Sequence, residues 1–271
     1  MHVELTIICV VAVLSLIIAN HANIRQYVSV SRKPVYVSMT TLPERLVSSH
    51  FQTVIKSIFS QSVPPKRVVL NIPHIYRRTG EIYVIPSWIK THRRIIVHRC
   101  DDVGPATKIL GGLAIIPQNA LVVVCDDDIV YQKPMIETLV RHCKVHGCLV
   151  SNSSQIVMGF AGYIVPRKKL NGMEQYNPPS ECYTVDDTWL DWVYRQKLNI
   201  PVVFLNMDVF ESVLNRVETD KHPQWFELCK HTPRSSMETA CLRSISHHQP
   251  FIIPRHIFMT YKTRDLPLEY V

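Results

Sequence analysis

Three adjacent aspartates, Asp126-Asp127-Asp128, follow the apolar run Leu121-Val122-Val123-Val124-Cys125. An unbroken apolar run of that length reads as a central strand buried on both faces. Its carboxyl end then carries three charges that repel one another. In an open α/β sheet, ligands bind beyond the carboxyl ends of the strands, so the cluster lies where a ligand can neutralise it. A divalent cation would do so, and the hard ions Mg²⁺ and Mn²⁺ favour oxygen ligands shared with substrate phosphates. Asp126 and Asp128 are therefore candidate metal ligands. The plain alternative is a solvated acidic turn, but turns are usually Asp/Asn/Gly mixtures rather than a triple Asp behind five apolar residues. A second acidic group lies downstream in Glu181-Cys182-Tyr183-Thr184-Val185-Asp186-Asp187-Thr188-Trp189-Leu190-Asp191.

These residues need a frame, and short apolar runs alternating with helical patterns supply one. Val35-Tyr36-Val37 opens a strand ending at Thr40-Thr41, Val68–Ile72 reads as a second strand and Arg94–Cys100 as a third. Between Ser49 and Gln61 the apolar residues Phe51, Val54, Ile55, Ile58 and Phe59 keep the spacing of an amphipathic helix. Pro105–Leu113 reads as a helix with proline in its first turn, and Met135–His146 as another. This rhythm predicts an α/β fold, an open and largely parallel sheet with helices on both faces.

The 271-residue chain, 46% apolar with 8 glycines and 18 prolines, has enough apolar material for one sizeable domain and shows no repeat. Its net charge of +8 fits nucleic acid, an anionic membrane or phosphate-bearing substrates. The basic residues are scattered in pairs such as Arg77-Arg78 and Arg93-Arg94, without aromatic interleaving, which argues against nucleic acid. Val3–Ala19 is almost unbroken in its apolarity. About 17 residues at 1.5 Å each reach roughly 25 Å, close to the ~30 Å hydrocarbon core. The expectation is a single N-terminal transmembrane helix that stays in place as an anchor. No Lys or Arg precedes the run and Asn20-His21-Ala22 is a poor cleavage site, which weakens a signal peptide. A buried core helix is the bland alternative. Arg25, Arg32 and Lys33 follow the segment and leave its orientation open. The expected organisation is an anchor and linker over 1–33 and a catalytic domain over 34–271, with a nucleotide-binding half (34–128) and an acceptor half (129–271).

The eight cysteines do not settle the compartment. The domain is large enough to fold without disulfides, no Cys-x-x-Cys occurs, and Cys100 and Cys125 at strand ends read as buried free thiols. Asn152-Ser153-Ser154 is a glycosylation sequon, meaningful only on a lumenal side.

Val122–Asp128 resembles the DXD signature of nucleotide-sugar glycosyltransferases of the A-type fold. Ser38-Met39-Thr40-Thr41-Leu42-Pro43-Glu44-Arg45 looks like the first strand end of that fold, and Asp101-Asp102-Val103-Gly104-Pro105-Ala106-Thr107-Lys108 is similar to the stretch that precedes the DXD strand in some members. The likeness runs from about Pro34 to Leu205 and thins beyond. It implies a Rossmann-like open mixed sheet, a nucleotide-sugar donor, a glycan or glycoconjugate acceptor, and Mn²⁺ or Mg²⁺. Implied donor contacts are Thr40, Thr41, Arg45, Asp102, Lys108, Asp126 and Asp127, with Asp126 on the ribose in one arrangement while Asp128 holds the metal. Physically, the two threonines suit a base edge, Arg45 a diphosphate, and Gly104-Pro105 exposes free N–H groups at a helix start.

Gly159-Phe160-Ala161-Gly162-Tyr163 would let backbone approach a sugar, with Gly162 as the donor-side residue; a strand corner is the alternative. In inverting members of that family an acidic residue at such a helix start acts as base, which points to Asp187 and next to Asp186. Thr184-x-x-Asp187 also fits a capping box. Related enzymes bring a late histidine to the metal, and His248, of the pair His247-His248, is the candidate. Two alternatives from other classes are an inactive membrane-tethered carbohydrate-binding domain and an aspartate-dependent phosphotransferase. The second usually has a Gly-Thr turn after its aspartates, where this chain has Ile129-Val130.

Overall fold

The computed structural model describes residues 33–205, 214–216 and 234–246. The described residues from Pro34 onward belong to one compact unit. The expected anchor Val3–Ala19 and His248 lie outside the described residues. Among the described residues no helix is long and apolar enough to cross a membrane.

A seven-stranded mixed sheet forms the centre. Its strands are β1 (Val35–Met39), β2 (Arg67–Pro73), β3 (Ile95–Cys100), β4 (Leu121–Val124), β6 (Leu149–Ser151), β7 (Tyr163–Pro166) and β8 (Val202–Phe204), in the order β3-β2-β1-β4-β7-β6-β8. β1 runs parallel to both β2 and β4, while β7 is antiparallel to β4 and β6. A short β5 (Ile129–Tyr131) pairs antiparallel with β9 (Leu214–Arg216) outside the main sheet. The sheet is thus mixed, less parallel than the βαβ rhythm predicts, because one strand, β7, runs antiparallel between β4 and β6.

Period-two geometry sorts the side chains into two layers. Val35, Val37, Met39, Leu121, Val123 and Cys125 enter one apolar cluster; Tyr36, Val122 and Val124 enter the other. The first is covered by two helices. In Ser49–Phe59 the buried residues Phe51, Val54, Ile55 and Ile58 form the predicted stripe, and Ser48 caps the start by accepting the Phe51 N–H at 3.1 Å. Met135–His146 has the predicted bounds and stops at Gly147, left-handed at φ 63°. The second layer is covered by Trp189, Leu190, Val193 and Tyr194, from Asp186–Trp192 and the turn after it.

The predicted helix at Pro105–Leu113 is shorter: α-helix holds only over Thr107–Leu110, then tightens to 3₁₀ over Gly111–Ala114. The cause is crowding. Gly111 and Gly112 pass so close to Asn71 and Ser38 that a Cβ on either would come within 3 Å of those side chains.

The chain leaves β1 towards β2 on one side, and β4 lies on the other. That is a topological switch point, where adjacent strand ends diverge and leave a crevice. Thr40-Thr41 and Asp126-Asp127-Asp128 lie on its two sides.

Candidate functional site

The crevice opens into a cavity of about 590 Å³ lined by residues from both halves of the sequence. Asp126, Asp127 and Asp128 enter it differently. Asp127 is turned inward: its carboxylate accepts from the Thr41 hydroxyl at 2.6 Å and from Arg45 Nη1 at 2.6 Å, and its side chain is only 9% exposed. Asp126 and Asp128 stay more open, at 27% and 19%. Arg45 also lies 3.4 Å from Asp128. Burial alone would lower the Arg45 pKa, but Asp127, Asp128 and Asp126 outweigh it and hold the guanidinium firmly charged. The turn is fixed from below by Tyr131 of β5, whose hydroxyl accepts the Asp126 N–H at 2.9 Å and donates towards the Phe160 carbonyl.

Lys108 joins this cluster to the second one. Its fully buried ammonium lies 2.9 Å from Asp126, 2.9 Å from Asp186 and 3.7 Å from Asp187. Burial penalises the ammonium, yet the three carboxylates more than offset that and push its pKa well up. Asp186 and Asp187 are raised above the usual carboxylate range, chiefly by burial; Lys108 opposes the rise and Asp126 adds to it. Asp187, pushed up to about 7, can take a proton near neutrality, as a general base must.

The capping reading of Thr184-x-x-Asp187 is not what forms. The helix starts at Asp186 after Val185 with no side-chain cap, and Asp187 Oδ1 instead accepts the Gly159 N–H at 3.0 Å. The Thr184 hydroxyl contacts Met237 Sδ at 3.4 Å. Gly159 has no room for a side chain: a Cβ would run into the Lys108 ammonium and into Asp126.

The remaining wall is aromatic and basic. Tyr76, Tyr83, Arg78 and Tyr183 line it, with the Tyr83 hydroxyl donating to the Thr41 carbonyl at 3.0 Å. Asp102 ties three segments together: it accepts from Gly104 N at 2.8 Å, Arg77 N at 2.8 Å and Tyr183 Oη at 3.0 Å. Arg77 and Arg78 both lie over the Tyr183 ring, at 5.3 and 5.6 Å from its centroid. Cys182, next to Tyr183, is disulfide-bonded to Cys241 of the Arg234–Ser246 helix, and that helix brings Arg234 and Glu238 to the cavity.

Thr40, Thr41, Arg45, Asp102, Lys108, Asp126, Asp127, Asp128, Asp186 and Asp187 all line this one cavity. Gly162 does not; it sits in the turn before β7 at φ 77°, and Gly159 is the glycine that meets the charged groups. The Thr40 hydroxyl is taken by the Asn71 carbonyl at 2.7 Å. Sequence reasoning missed Tyr76, Tyr83, Tyr131, Tyr183, Arg234 and Glu238, which carry no motif and meet only in the fold. It missed the disulfide too. The sequon is masked by packing: Asn152 and Ser153 are buried, and the Asn152 amide donates to the Ala161 carbonyl at 3.1 Å.

A metal site must be judged on the donors present. Among the described residues no group of three or more His, Cys, Asp or Glu side chains could enclose an ion. Two open carboxylates, Asp126 and Asp128, do match an Mg²⁺- or Mn²⁺-type site that takes one or two carboxylates and completes its shell with water and substrate phosphates.

No protein-family model and no curated protein matches the chain. Solved structures that resemble it include glucosyl-3-phosphoglycerate synthase from Mycobacterium tuberculosis in complex with UDP, 15% identical, covering 80% of this chain and 83% of that one at a TM-score of 0.48. A mannosyltransferase from Pyrobaculum calidifontis, in complex with GDP-Man and Mn²⁺, is 14% identical over 81% of this chain and 70% of that one, at 0.47. A mycobacterial protein is 12% identical over 54% of this chain, which spans 57% of that protein's length, at 0.38. Likenesses of this size carry no argument about activity, which rests on the geometry of the site.

Proposed function

We propose that the chain is a metal-dependent glycosyltransferase that moves a sugar from a nucleoside-diphosphate sugar to an acceptor hydroxyl. The observation that carries this reading is the meeting of two carboxylate clusters, from Asp126–Asp128 and Asp186-Asp187, in one cavity at the switch point of an α/β sheet. The strand-end cluster, with Arg45, suits a diphosphate. Asp126 and Asp128 would hold Mn²⁺ or Mg²⁺, which when bound offsets charge on the leaving diphosphate. The aromatic wall of Tyr76, Tyr83 and Tyr183 suits the nucleoside. Asp187, raised towards neutrality by burial and held by Gly159, takes the acceptor proton as its oxygen attacks the anomeric carbon, an inverting transfer.

The same proposal places the domain behind a single membrane segment, Val3–Ala19. Arg25, Arg32 and Lys33 would by charge keep it cytoplasmic, whereas the Cys182–Cys241 bridge argues for an oxidising, non-cytosolic side. The bridge weighs more, since it is built into the folded site. Removing residues 1–33 should yield a soluble, folded domain; an insoluble product would place the segment in the core.

The test of function is a panel of UDP- and GDP-sugars with and without Mn²⁺, read by thermal shift and by donor hydrolysis. At least one donor should stabilise the protein in a metal-dependent way, and Asp128→Asn should remove that dependence while the fold persists. An Asp128→Asn protein that binds donor with unchanged metal dependence would refute the metal assignment. Binding without turnover would leave the carbohydrate-binding alternative.

A further inference from the structure

We infer that the Arg234–Ser246 helix is a working wall of the site, that the Cys182–Cys241 disulfide is what holds it there, and that Arg234 is a positioning residue for Asp187. This rests on the proposed role of Asp187 as base. Arg234 Nη2 lies 3.8 Å from Asp187 Oδ2, and Arg234 Nε donates to Glu238 Oε1 at 2.9 Å, one helical turn on. Both side chains face the cavity. Asp187 thus has Gly159 N and Lys108 on one oxygen and Arg234 towards the other. That is the geometry of a carboxylate whose direction is fixed from two sides.

Among the described residues the helix buries few apolar side chains. Its sequence, Arg-Ser-Ser-Met-Glu-Thr-Ala-Cys-Leu-Arg-Ser-Ile-Ser, is mostly polar, and only Cys241 and Ile245 are buried. Partly buried Met237 packs beside them, and the Ser244 hydroxyl reaches Glu181 Oε2 at 3.4 Å on the exposed side. A helix with one buried aliphatic side chain gains little from burial against the entropy of ordering 13 residues. The covalent link, closing a sequence separation of 59, supplies what burial does not.

Its other end is as firmly placed. Cys182 precedes Tyr183, whose hydroxyl is bound to Asp102, and Asp102 also holds Arg77 and Gly104. Gly104 passes so close to the Tyr183 carbonyl that a Cβ there would collide with it. The disulfide therefore ties the Arg234 helix to buried Cys182, next to Tyr183 and its Asp102 and Gly104 contacts.

The experiment compares the full-length protein with the Cys182→Ser/Cys241→Ser double variant, Arg234→Ala and Arg234→Lys. Hydrogen exchange reads whether 234–246 stays docked. The ¹³C carboxyl resonance of Asp187 reads Arg234 without any substrate, in a setting that also holds Lys108, Asp186 and Asp126. Donor hydrolysis reads turnover, and UDP and GDP with Mn²⁺ read nucleotide affinity. Removing the bridge should raise exchange over 234–246 at least tenfold and lower turnover about as much, with nucleotide affinity changed less than threefold. Arg234→Ala should keep the helix protected, move the Asp187 titration to higher pH and lower kcat more than KM rises; Arg234→Lys should restore part of both. Unchanged exchange in the double variant, or an unchanged Asp187 titration in Arg234→Ala, would overturn the inference. Absence of nucleotide binding in every form would count against the transferase reading, while exchange and titration still decide this one.

Discussion

Replacing Lys108 by methionine isolates the charge at the centre of the site, because methionine keeps an unbranched stem of similar length and loses only the ammonium. In the native protein that ammonium sits 2.9 Å from Asp126, 2.9 Å from Asp186 and 3.7 Å from Asp187. Breaking a buried ion pair by removing one partner costs roughly 3–5 kcal/mol, since the other charge is left uncompensated. Here three carboxylates are left, but the cost is capped because they can take up a proton. Asp186 and Asp187 are already raised by burial, and loss of Lys108 raises them further. Each unit by which a folded carboxyl stands above its unfolded value costs about 1.4 kcal/mol once the pH exceeds both values. The sign follows: a raised carboxyl keeps its full stability below the unfolded pKa and loses it as pH rises through the folded one. Lys108→Met should therefore be destabilised by about 3 kcal/mol or more at pH 8 and by clearly less at pH 5. Urea unfolding at both pH values measures this, with the denaturant slope checked for constancy. Adding Asp186→Asn to Lys108→Met should recover part of the loss, giving a non-additive cycle. A deficit below about 1 kcal/mol at pH 8, or strictly additive effects, would refute the hub reading.

Other outcomes follow from the same geometry. Asp187→Asn should lower turnover by roughly 10²–10⁴ with donor affinity little changed, as steady-state rates and nucleotide titration would show; near-normal turnover would move the role to Asp186. Gly159→Ala, whose new methyl would displace Lys108 and Asp126, should fold but lose on the order of 10² in turnover, and full activity would mean the approach is looser than described. The His142 imidazole is lowered to about 4 by burial, with His146 and Arg141 adding to the effect. Its contribution to stability is complete above the ordinary value near 6.5 and is lost as pH falls towards 4, because only the unfolded chain takes up the proton. Thermal midpoints should drop over that window in native protein and drop less in His142→Gln.

Much of the frame was legible in the sequence, for local reasons. Leu121–Val124 needed only its apolar run to declare a central strand, and the Ser49–Phe59 stripe needed only its spacing. The Asp126 cluster was legible because three charges behind a buried strand have few uses. Its internal division was not: that Asp127 turns inward depends on Thr41 and Arg45, 86 and 82 residues away. Lys108 could be read as a donor contact, but not as the ion joining two clusters, since Asp186 arrives from a helix whose packing no local pattern encodes. Thr184 and Asp187 have capping spacing, yet Asp187 accepts from the Gly159 N–H, 28 residues away. The Cys182–Cys241 bridge was invisible because an even cysteine count carries no pairing. The sequon misled in the opposite way: its letters are correct, but Asn152 and Ser153 are buried by their neighbours.

Because Lys108 is shared, the two ends of the cavity are coupled by thermodynamic reciprocity. A ligand that draws Asp126 away from Lys108 leaves more of the ammonium's field for Asp186 and Asp187, and so eases loss of a proton there. Occupancy at the strand end then changes the proton inventory at the helix end. By the same balance, the proton count at the helix end changes affinity at the strand end. Calorimetry in buffers of different ionisation heat would register this as a fractional number of protons released per nucleotide bound, and Lys108→Met would bring that number towards zero.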